Sequence, residues 1–160
     1  MTEDARFADA DADPRPLALR AEDQADLRIV SALVQDAILP ASEIGYDPKA
    51  RRLALLVNRF RWEDAERARA EGRDYERVRA LLVLHDVVSL RSDGVSRDAD
   101  TVLELLALDW RPGEDGTGRL SLEFAGDGTL AAEVECINVE LRDVTRPYRA
   151  VSGRAPAHPG

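Results

Sequence analysis

The sequence has 160 residues, of which 44% are hydrophobic, which suits one domain with a buried core and excludes a wholly disordered chain. Its formal net charge of −9 argues against duplex nucleic acid and anionic membranes as partners, because both need clustered positive charge. No apolar run approaches the ~20 residues that cross a bilayer, and the acidic residues 1–6 precede no apolar stretch of a signal peptide. Because Cys136 is the single cysteine, no internal disulfide can form, and we expect a cytoplasmic protein without a membrane partner.

Both ends of the sequence have the composition of solvated tails. Residues 1–16 alternate Asp with Ala and contain two prolines, and residues 146–160 contain three prolines and two glycines. We therefore expect disordered tails at residues 1–16 and 146–160 and a single globular domain at residues 17–145. His158 falls in the second tail, which makes it a poor candidate for a ligand or a catalyst.

The first part of the domain predicts one main helix followed by a hairpin. Asp23 offers an acidic N-cap, and Pro40 limits the helix at its other end. Between them, apolar residues follow at helical spacing: Leu27, Val30, Val34 and Ala37. Residues 44–46 and 52–60 are apolar segments on either side of a turn that contains Pro48, a pattern typical of a hairpin.

Two further segments complete the first half of the domain. The charged segment 62–75 predicts either a loose surface helix or a mobile loop, because Gly72 weakens a helix there. Residues 77–92 would be apolar on both faces of a strand, which predicts a long strand in the centre of a sheet.

The second half predicts a short helical turn at residues 98–101 and then three strands. The first strand runs to Trp110, and the other two flank residues 126–128, whose Gly-Asp-Gly sequence is a strong hairpin signal. In the last strand the apolar alternation slips by one residue after Cys136. A β-bulge near Cys136 explains this slip, and a terminal helix over residues 137–144 explains it about as well.

The two halves of the domain echo each other. Residues 83–92 align with residues 134–143 at a constant offset of 51, and four of the ten positions are identical. Each segment also closes a similar series of a helical stretch and two strands. We therefore predict an α+β fold of two tandem helix–strand–strand–strand units, at about residues 22–93 and 98–145, with six strands in antiparallel sheets and a pseudo-twofold internal duplication.

Five polar residues form the candidate ligand-binding site. Asn58 and Arg59 interrupt an otherwise apolar strand, and Gln35 and Asp36 end the apolar helix. Together with Glu63 they could hold an anionic ligand, because a guanidinium can bind a carboxylate or a phosphate through two parallel hydrogen bonds. The alternative is an internal ion pair, such as one between Arg59 and Asp36, that ties the helix to the sheet.

The sequence contains no catalytic, cofactor or metal motif, so we predict no catalytic residue, cofactor or metal ligand. His85 and Cys136 occupy equivalent positions of the echo and could form a soft-metal site or a nucleophile–base pair, although packing of each within its strand is the more common arrangement. Glu133 and Glu135 share one strand face, which suits acid–base chemistry or cation binding but is more typical of a solvent face. Acidic neighbours and apolar flanks predict a buried, unreactive Cys136 thiol.

The sequence resembles a family of small, mainly alphaproteobacterial proteins catalogued as a domain of unknown function. The resemblance covers roughly residues 17–145 and rests on three motifs in the same order and spacing: Gln35-Asp36-Ala37, Asn58-Arg59-Phe60-Arg61-Trp62-Glu63 and Glu133-Val134-Glu135-Cys136-Ile137. It implies no catalytic residues, since the motifs have no assigned chemistry. The sequence departs from the family pattern mainly in its longer charged segment at residues 62–75.

Two kinds of function agree with these observations. The first is a non-enzymatic cytoplasmic domain that binds a protein partner or forms a homodimer, because Leu- and Val-rich strands without prolines leave faces and edges that need covering. The second is a protein or small enzyme that binds an anionic metabolite through Asp36, Asn58 and Arg59. The second function requires a concave pocket into which Arg59 points.

Overall fold

The described residues fold into an antiparallel β-sheet of eleven strands, against which two α-helices pack. The computed structural model describes residues 16–150 and residue 156. In chain order the elements are β1 (Ala18–Ala21), α1 (Gln24–Leu33), β2 (Ala37–Pro40), a 3-10 turn (Ala41–Glu43), β3 (Ile44–Asp47), β4 (Arg52–Phe60), α2 (Trp62–Glu71), β5 (Glu76–Leu84), β6 (Val87–Asp93), β7 (Val102–Pro112), β8 (Gly118–Phe124), β9 (Thr129–Val134), β10 (Val139–Asp143) and β11 (Tyr148–Arg149).

The strand order is β1-β10-β5-β4-β2-β7-β8-β9-β6, with β3 beside β4 and β11 beside β5. We call β1, β10, β5 and β4 the first half-sheet, and β7, β8, β9 and β6 the second half-sheet. Strand β2 joins them: it pairs along its length with β7 but meets β4 only where Ile38 lies opposite Asn58. The two half-sheets therefore belong to one hydrogen-bonded sheet, although their strands come from all parts of the chain.

Two sharp bends carry the chain between the half-sheets. His85 and Asp86 separate β5 from β6, and Asp86 turns the chain with a φ of 58°, a left-handed conformation that Asp tolerates better than most residues. Residues 135–138 separate β9 from β10 and contain a bend. The bends lie side by side, because the His85 N–H donates to the Asn138 carbonyl at 2.9 Å and the Glu135 N–H donates to the Asp86 carbonyl at 3.1 Å.

The described residues form a hydrophobic core between the two half-sheets and helix α1. Alternate residues of the longer strands β4, β5, β7, β8 and β9 point into it, as the period of two requires. The core includes residues of both half-sheets and of the helix: Leu53, Leu55, Leu82, Leu84, Leu105, Leu120, Leu122, Leu141, Leu27 and Val30. Burial of each large side chain contributes about 1.5–3 kcal/mol, so this core supplies most of the driving force for folding.

The structure confirms the predicted N-cap of α1 and decides between the alternatives for residues 62–75. The Asp23 carboxylate accepts a 2.8 Å hydrogen bond from the Asp26 N–H. Helix α1 ends at Leu33 rather than continuing to Ala37, which opens β2. Trp62–Glu71 form a helix, and Gly72 ends it with a φ of 68°, the usual glycine conformation at a helix C-terminus.

The predicted α+β fold of two tandem helix–strand–strand–strand units is wrong. The described residues form a mostly antiparallel sheet, and residues 98–101 contain only a turn. The echoing segments do not sit in separate units, because β5 pairs with β10 and β6 pairs with β9. The two segments share a sequence pattern because paired strands that bury the same face need the same alternation of apolar residues, and because both segments are interrupted at the neighbouring bends. The strand order does not support an internal duplication.

The long strand predicted at residues 77–92 is two strands, of which only β5 is central. Residues 139–143 form strand β10 rather than a helix, so the slip after Cys136 marks the interruption at residues 135–138. Strands β1, β2 and β11 are too short to leave a clear pattern in the sequence. Tyr148–Arg149 form β11 within the segment expected as a tail, and most of the remaining tail residues lie outside the described part of the chain.

Candidate functional site

Arg59 is the centre of a polar cluster inside the domain. Its side chain points inward from β4 and is fully buried, with 0% of its surface exposed. Its Nε and Nη2 donate to the two carboxylate oxygens of Asp143, each at 3.0 Å. Its Nη1 and Nη2 donate to the carboxylate of Glu63 at 2.9 and 2.8 Å, and Nη1 also donates to the Phe60 carbonyl at 3.3 Å. All five N–H groups of the guanidinium are therefore used inside the protein.

We call Arg59, Glu63 and Asp143 the Arg59 cluster. It joins three elements, because Arg59 lies on β4, Glu63 in the first turn of α2 and Asp143 at the end of β10. Asp143 also accepts a 2.9 Å hydrogen bond from the Leu17 N–H, which holds the segment that leads into β1. The cluster is thus an internal tie between strands and helix.

The charges of the Arg59 cluster stabilise one another. Burial by itself lowers the pKa of Arg59, but the hydrogen bonds of Glu63 and Asp143 outweigh it and leave this pKa above its ordinary value. Burial likewise raises the pKa of Glu63, but the hydrogen bonds and charge of Arg59 bring it below its ordinary value of 4.5. Both groups are therefore charged at neutral pH.

Asp36 and Gln35 lie at the turn between α1 and β2 and do not belong to the Arg59 cluster. Asp36 is buried and adopts a φ of 63°, and its N–H donates to the Leu105 carbonyl at 2.8 Å. The Gln35 carbonyl accepts a 2.9 Å hydrogen bond from the Trp62 indole, which attaches α2 to this turn. The predicted ion pair between Arg59 and Asp36 does not form, since Asp143, Glu63 and the Phe60 carbonyl accept all five N–H groups of Arg59.

Asn58 lies on the opposite, outer face of β4. Its carbonyl and its side-chain Oδ1 face Nη1 of Arg77 at 3.2 and 3.5 Å. The half-buried Arg77 guanidinium lies 6.0 Å from the centre of the Phe60 ring, and burial lowers its pKa from the ordinary value. Asn58 is also opposite the exposed Arg79 in the β4–β5 ladder. Asn58 also lines a cavity on the outer face.

This cavity has a volume of about 200 Å³ and lies where β2 and β4 separate. Its walls are mostly apolar, with Asn58, Arg79 and Glu43 as the polar members. Arg77 and Arg79 were not among the predicted site residues, although their alternation with Val78 and Ala80 places both on one face of the strand. Asp143 was missed because it is 84 residues from Arg59 and no local pattern connects the two.

A second polar cluster occupies the two bends. The Asp86 carboxylate accepts a 3.0 Å hydrogen bond from Asn138 and a 3.5 Å contact from the Cys136 thiol. His85 Nε2 lies 2.6 Å from the Glu140 carboxylate. His85 and Cys136 thus have different partners, and the described residues contain no group of three His, Cys, Asp or Glu side chains placed to hold a metal.

The Cys136 thiol is exposed, so the prediction that it is buried is wrong. Partial desolvation and then the Asp86 carboxylate raise the pKa of the thiol, which is the direction predicted for it. Glu133 and Glu135 belong to separate surface ion pairs, with Arg119 at 2.7 Å and with Arg51 at 2.6 Å.

The fold and the Arg59 cluster together define a small antiparallel β-sheet domain fastened by an internal ion cluster. The chain belongs to the family described as a protein of unknown function (DUF2948), whose model matches residues 17–158. The resemblance to a domain of unknown function is therefore confirmed, and the match extends beyond residue 145. No curated protein and no solved structure matches the chain. Neither helix of the described residues has the length and apolar character that crossing a bilayer needs.

Proposed function

We propose that the protein is a non-enzymatic cytoplasmic domain that forms a homodimer through strand β6. The single observation that carries this proposal is the open edge of that strand. Strand β6 ends the strand order and pairs on one side with β9, and no other described strand pairs with its second side. Alternate N–H and C=O groups of residues 89–93 therefore face solvent, where a second strand can pair with them.

The surface beside β6 supports an interface. Val88 stands at the bulge at the start of the strand and is 57% exposed. Two adjoining depressions of about 360 and 220 Å³ lie on the outer face of β8, β9 and β6, and Arg119 and Glu133 line both. The strand carries none of the prolines or lysines that commonly protect an edge from pairing.

A second copy of the chain is the simplest occupant of this edge. Antiparallel pairing of β6 with β6 of the partner about a twofold axis satisfies both open edges at once and closes the assembly as a dimer. The charged groups of the Arg59 cluster bind one another inside the domain, which supports a structural role for them. A function at the surface, such as dimerisation, is consistent with that role. The single cysteine, free in this structure, supports the cytoplasmic location.

Analytical ultracentrifugation over a concentration series tests the proposal. We expect the mass-average mass to rise from the monomer value toward twice that value at micromolar concentrations. Val88→Arg should abolish the rise, because a charge at the edge must be desolvated on pairing. Ile29→Arg is the matched control, since Ile29 is 54% exposed on helix α1 and away from β6. A monomer at all concentrations, or equal loss of dimer in both variants, contradicts the proposal.

A further inference from the structure

The cavity on the outer face arises from the path of the chain between β2 and β4. The two strands pair at one position and then diverge, because β2 turns to β7 while β3 takes the place beside Leu55. The 3-10 turn Ala41–Glu43 crosses the gap. Divergence of two strands leaves a notch in the sheet surface that neither strand fills.

The walls of this notch are apolar. They are formed by Ile38, Leu39, Pro40, Leu56, Val57 and Val102. Val102 is 67% exposed, so a large apolar side chain stands at the rim without cover from the described residues. The volume of about 200 Å³ is below the range of about 300–1,000 Å³ found for drug-sized ligands. The notch therefore suits an apolar body of only a few carbon atoms.

The donors of the notch lie together on one side. Asn58 Oδ1 faces Arg77, so the Nδ2 hydrogens of the same amide point the other way and can donate to a ligand. Arg79 lies opposite Asn58 on the neighbouring strand, and its guanidinium is exposed. Its main chain is fixed, because the Arg79 N–H donates to the Thr145 hydroxyl at 3.0 Å and its carbonyl accepts from the Val144 N–H at 2.8 Å.

We infer that this notch binds a small monocarboxylate with an apolar body, whose carboxylate takes hydrogen bonds from Arg79 and Asn58. A carboxylate matches the planar guanidinium in charge and geometry. Glu43 stands at the rim and opposes a second negative charge on the ligand. The apolar body packs against Ile38, Leu56 and Val102. This site is independent of the β6 edge, which lies at the far end of the strand order.

Titration of the ¹⁵N-labelled protein with 4-methylpentanoate, followed by NMR, tests the inference. We expect saturable shifts, at millimolar ligand, of the amides of Ile38, Leu56, Asn58 and Val102. The neutral isostere 4-methylpentanamide should shift them at least about tenfold more weakly, because it lacks the charge that Arg79 recognises. A dicarboxylate of similar length should also bind more weakly, since Glu43 repels its second carboxylate.

Substitution then connects the binding to the named donors. Arg79→Ala should weaken binding of 4-methylpentanoate about tenfold or more, while its main-chain hydrogen bonds and hence the fold remain. Arg28→Ala is the matched control, because Arg28 is an exposed arginine on helix α1, away from the β6 edge, and does not line the notch. The inference is overturned if no saturable shifts occur, if the amide binds as well as the acid, or if both variants bind like the unmodified protein. The comparison of acid and amide needs no variant, so it decides the matter even if Arg79→Ala folds poorly.

Discussion

Asp143→Ala is the substitution that most directly tests the structural role of the Arg59 cluster. It removes two hydrogen bonds of 3.0 Å to a guanidinium that has no exposed surface. It also removes the acceptor of the Leu17 N–H, so the start of β1 loses its attachment. A small side chain at this position leaves a space, and Arg59 keeps its charge.

The structure sets the expected size of the loss. Hydrogen bonds to charged groups contribute about 1.5–3 kcal/mol each, so the two bonds to Arg59 amount to about 3–6 kcal/mol. Glu63 remains and still compensates the guanidinium charge, which places the expected loss in the lower part of the range of about 3–5 kcal/mol for a broken buried ion pair. We expect about 3–4 kcal/mol, which is a large part of the typical stability of about 5–15 kcal/mol of a domain.

Urea unfolding followed by circular dichroism measures this loss, and thermal unfolding gives a second value. A domain of this size loses about 2–4 °C of Tm per kcal/mol, so Tm should fall by about 6–16 °C. Glu133→Ala is the control, because its ion pair with Arg119 is half exposed and such pairs contribute only about 0–1 kcal/mol. A loss below about 1 kcal/mol in Asp143→Ala would refute the view that the cluster fastens the fold.

Three further predictions concern a close approach, an acid transition and a thiol. Gly118→Ala should lower the free energy of unfolding in urea by about 1–3 kcal/mol, because the added Cβ would lie closer than 3.0 Å to the Trp110 indole and the Arg111 carbonyl oxygen. Gly45→Ala is the control and should be near neutral, since a Cβ there has no atom within 4 Å. The pKa of Glu63 is depressed in the fold, so its contribution to stability is present above its ordinary value of 4.5 and is lost as pH falls below it; Glu63→Gln should flatten that acid limb in pH-dependent melts. Cys136 should react slowly with a thiol reagent at neutral pH although it is exposed, and Asp86→Asn should speed the reaction by lowering the thiol pKa.

The sequence was sufficient for those parts of the fold that depend on near neighbours. The Asp23 cap, the hairpin of residues 44–47 with 52–55, and the hairpin around residues 126–128 follow from turn chemistry and apolar periodicity over a few residues. The strand order could not be predicted in this way, because β10 lies between β1 and β5, which are distant in sequence. An apolar alternation shows which face of a strand is buried but not which strand lies beside it.

The same limit applies to the candidate site. Asn58 and Arg59 stand out in the sequence as two polar residues in an apolar strand, and alternation places them on opposite faces of β4. A single small ligand therefore cannot contact both side chains directly. Glu63 was selected with Arg59 and does bind it, since the two residues are four positions apart where β4 leads into α2.

The distribution of charge over the two faces of β4 determines where a function can be sought. The inward arginine has no donor to offer, because two carboxylates and a carbonyl take all five of its N–H groups. The outward Asn58 has a donor available beside an apolar notch, and it lies opposite an arginine that reaches solvent. In β4, the inward Arg59 thus serves stability, and the outward Asn58 is accessible for binding. Substitution of Arg59 should therefore lower the stability of the fold. Substitution of Arg79 should alter ligand binding and leave stability nearly unchanged. If Arg59 proved to govern binding and Arg79 stability, the binding site would have to lie elsewhere.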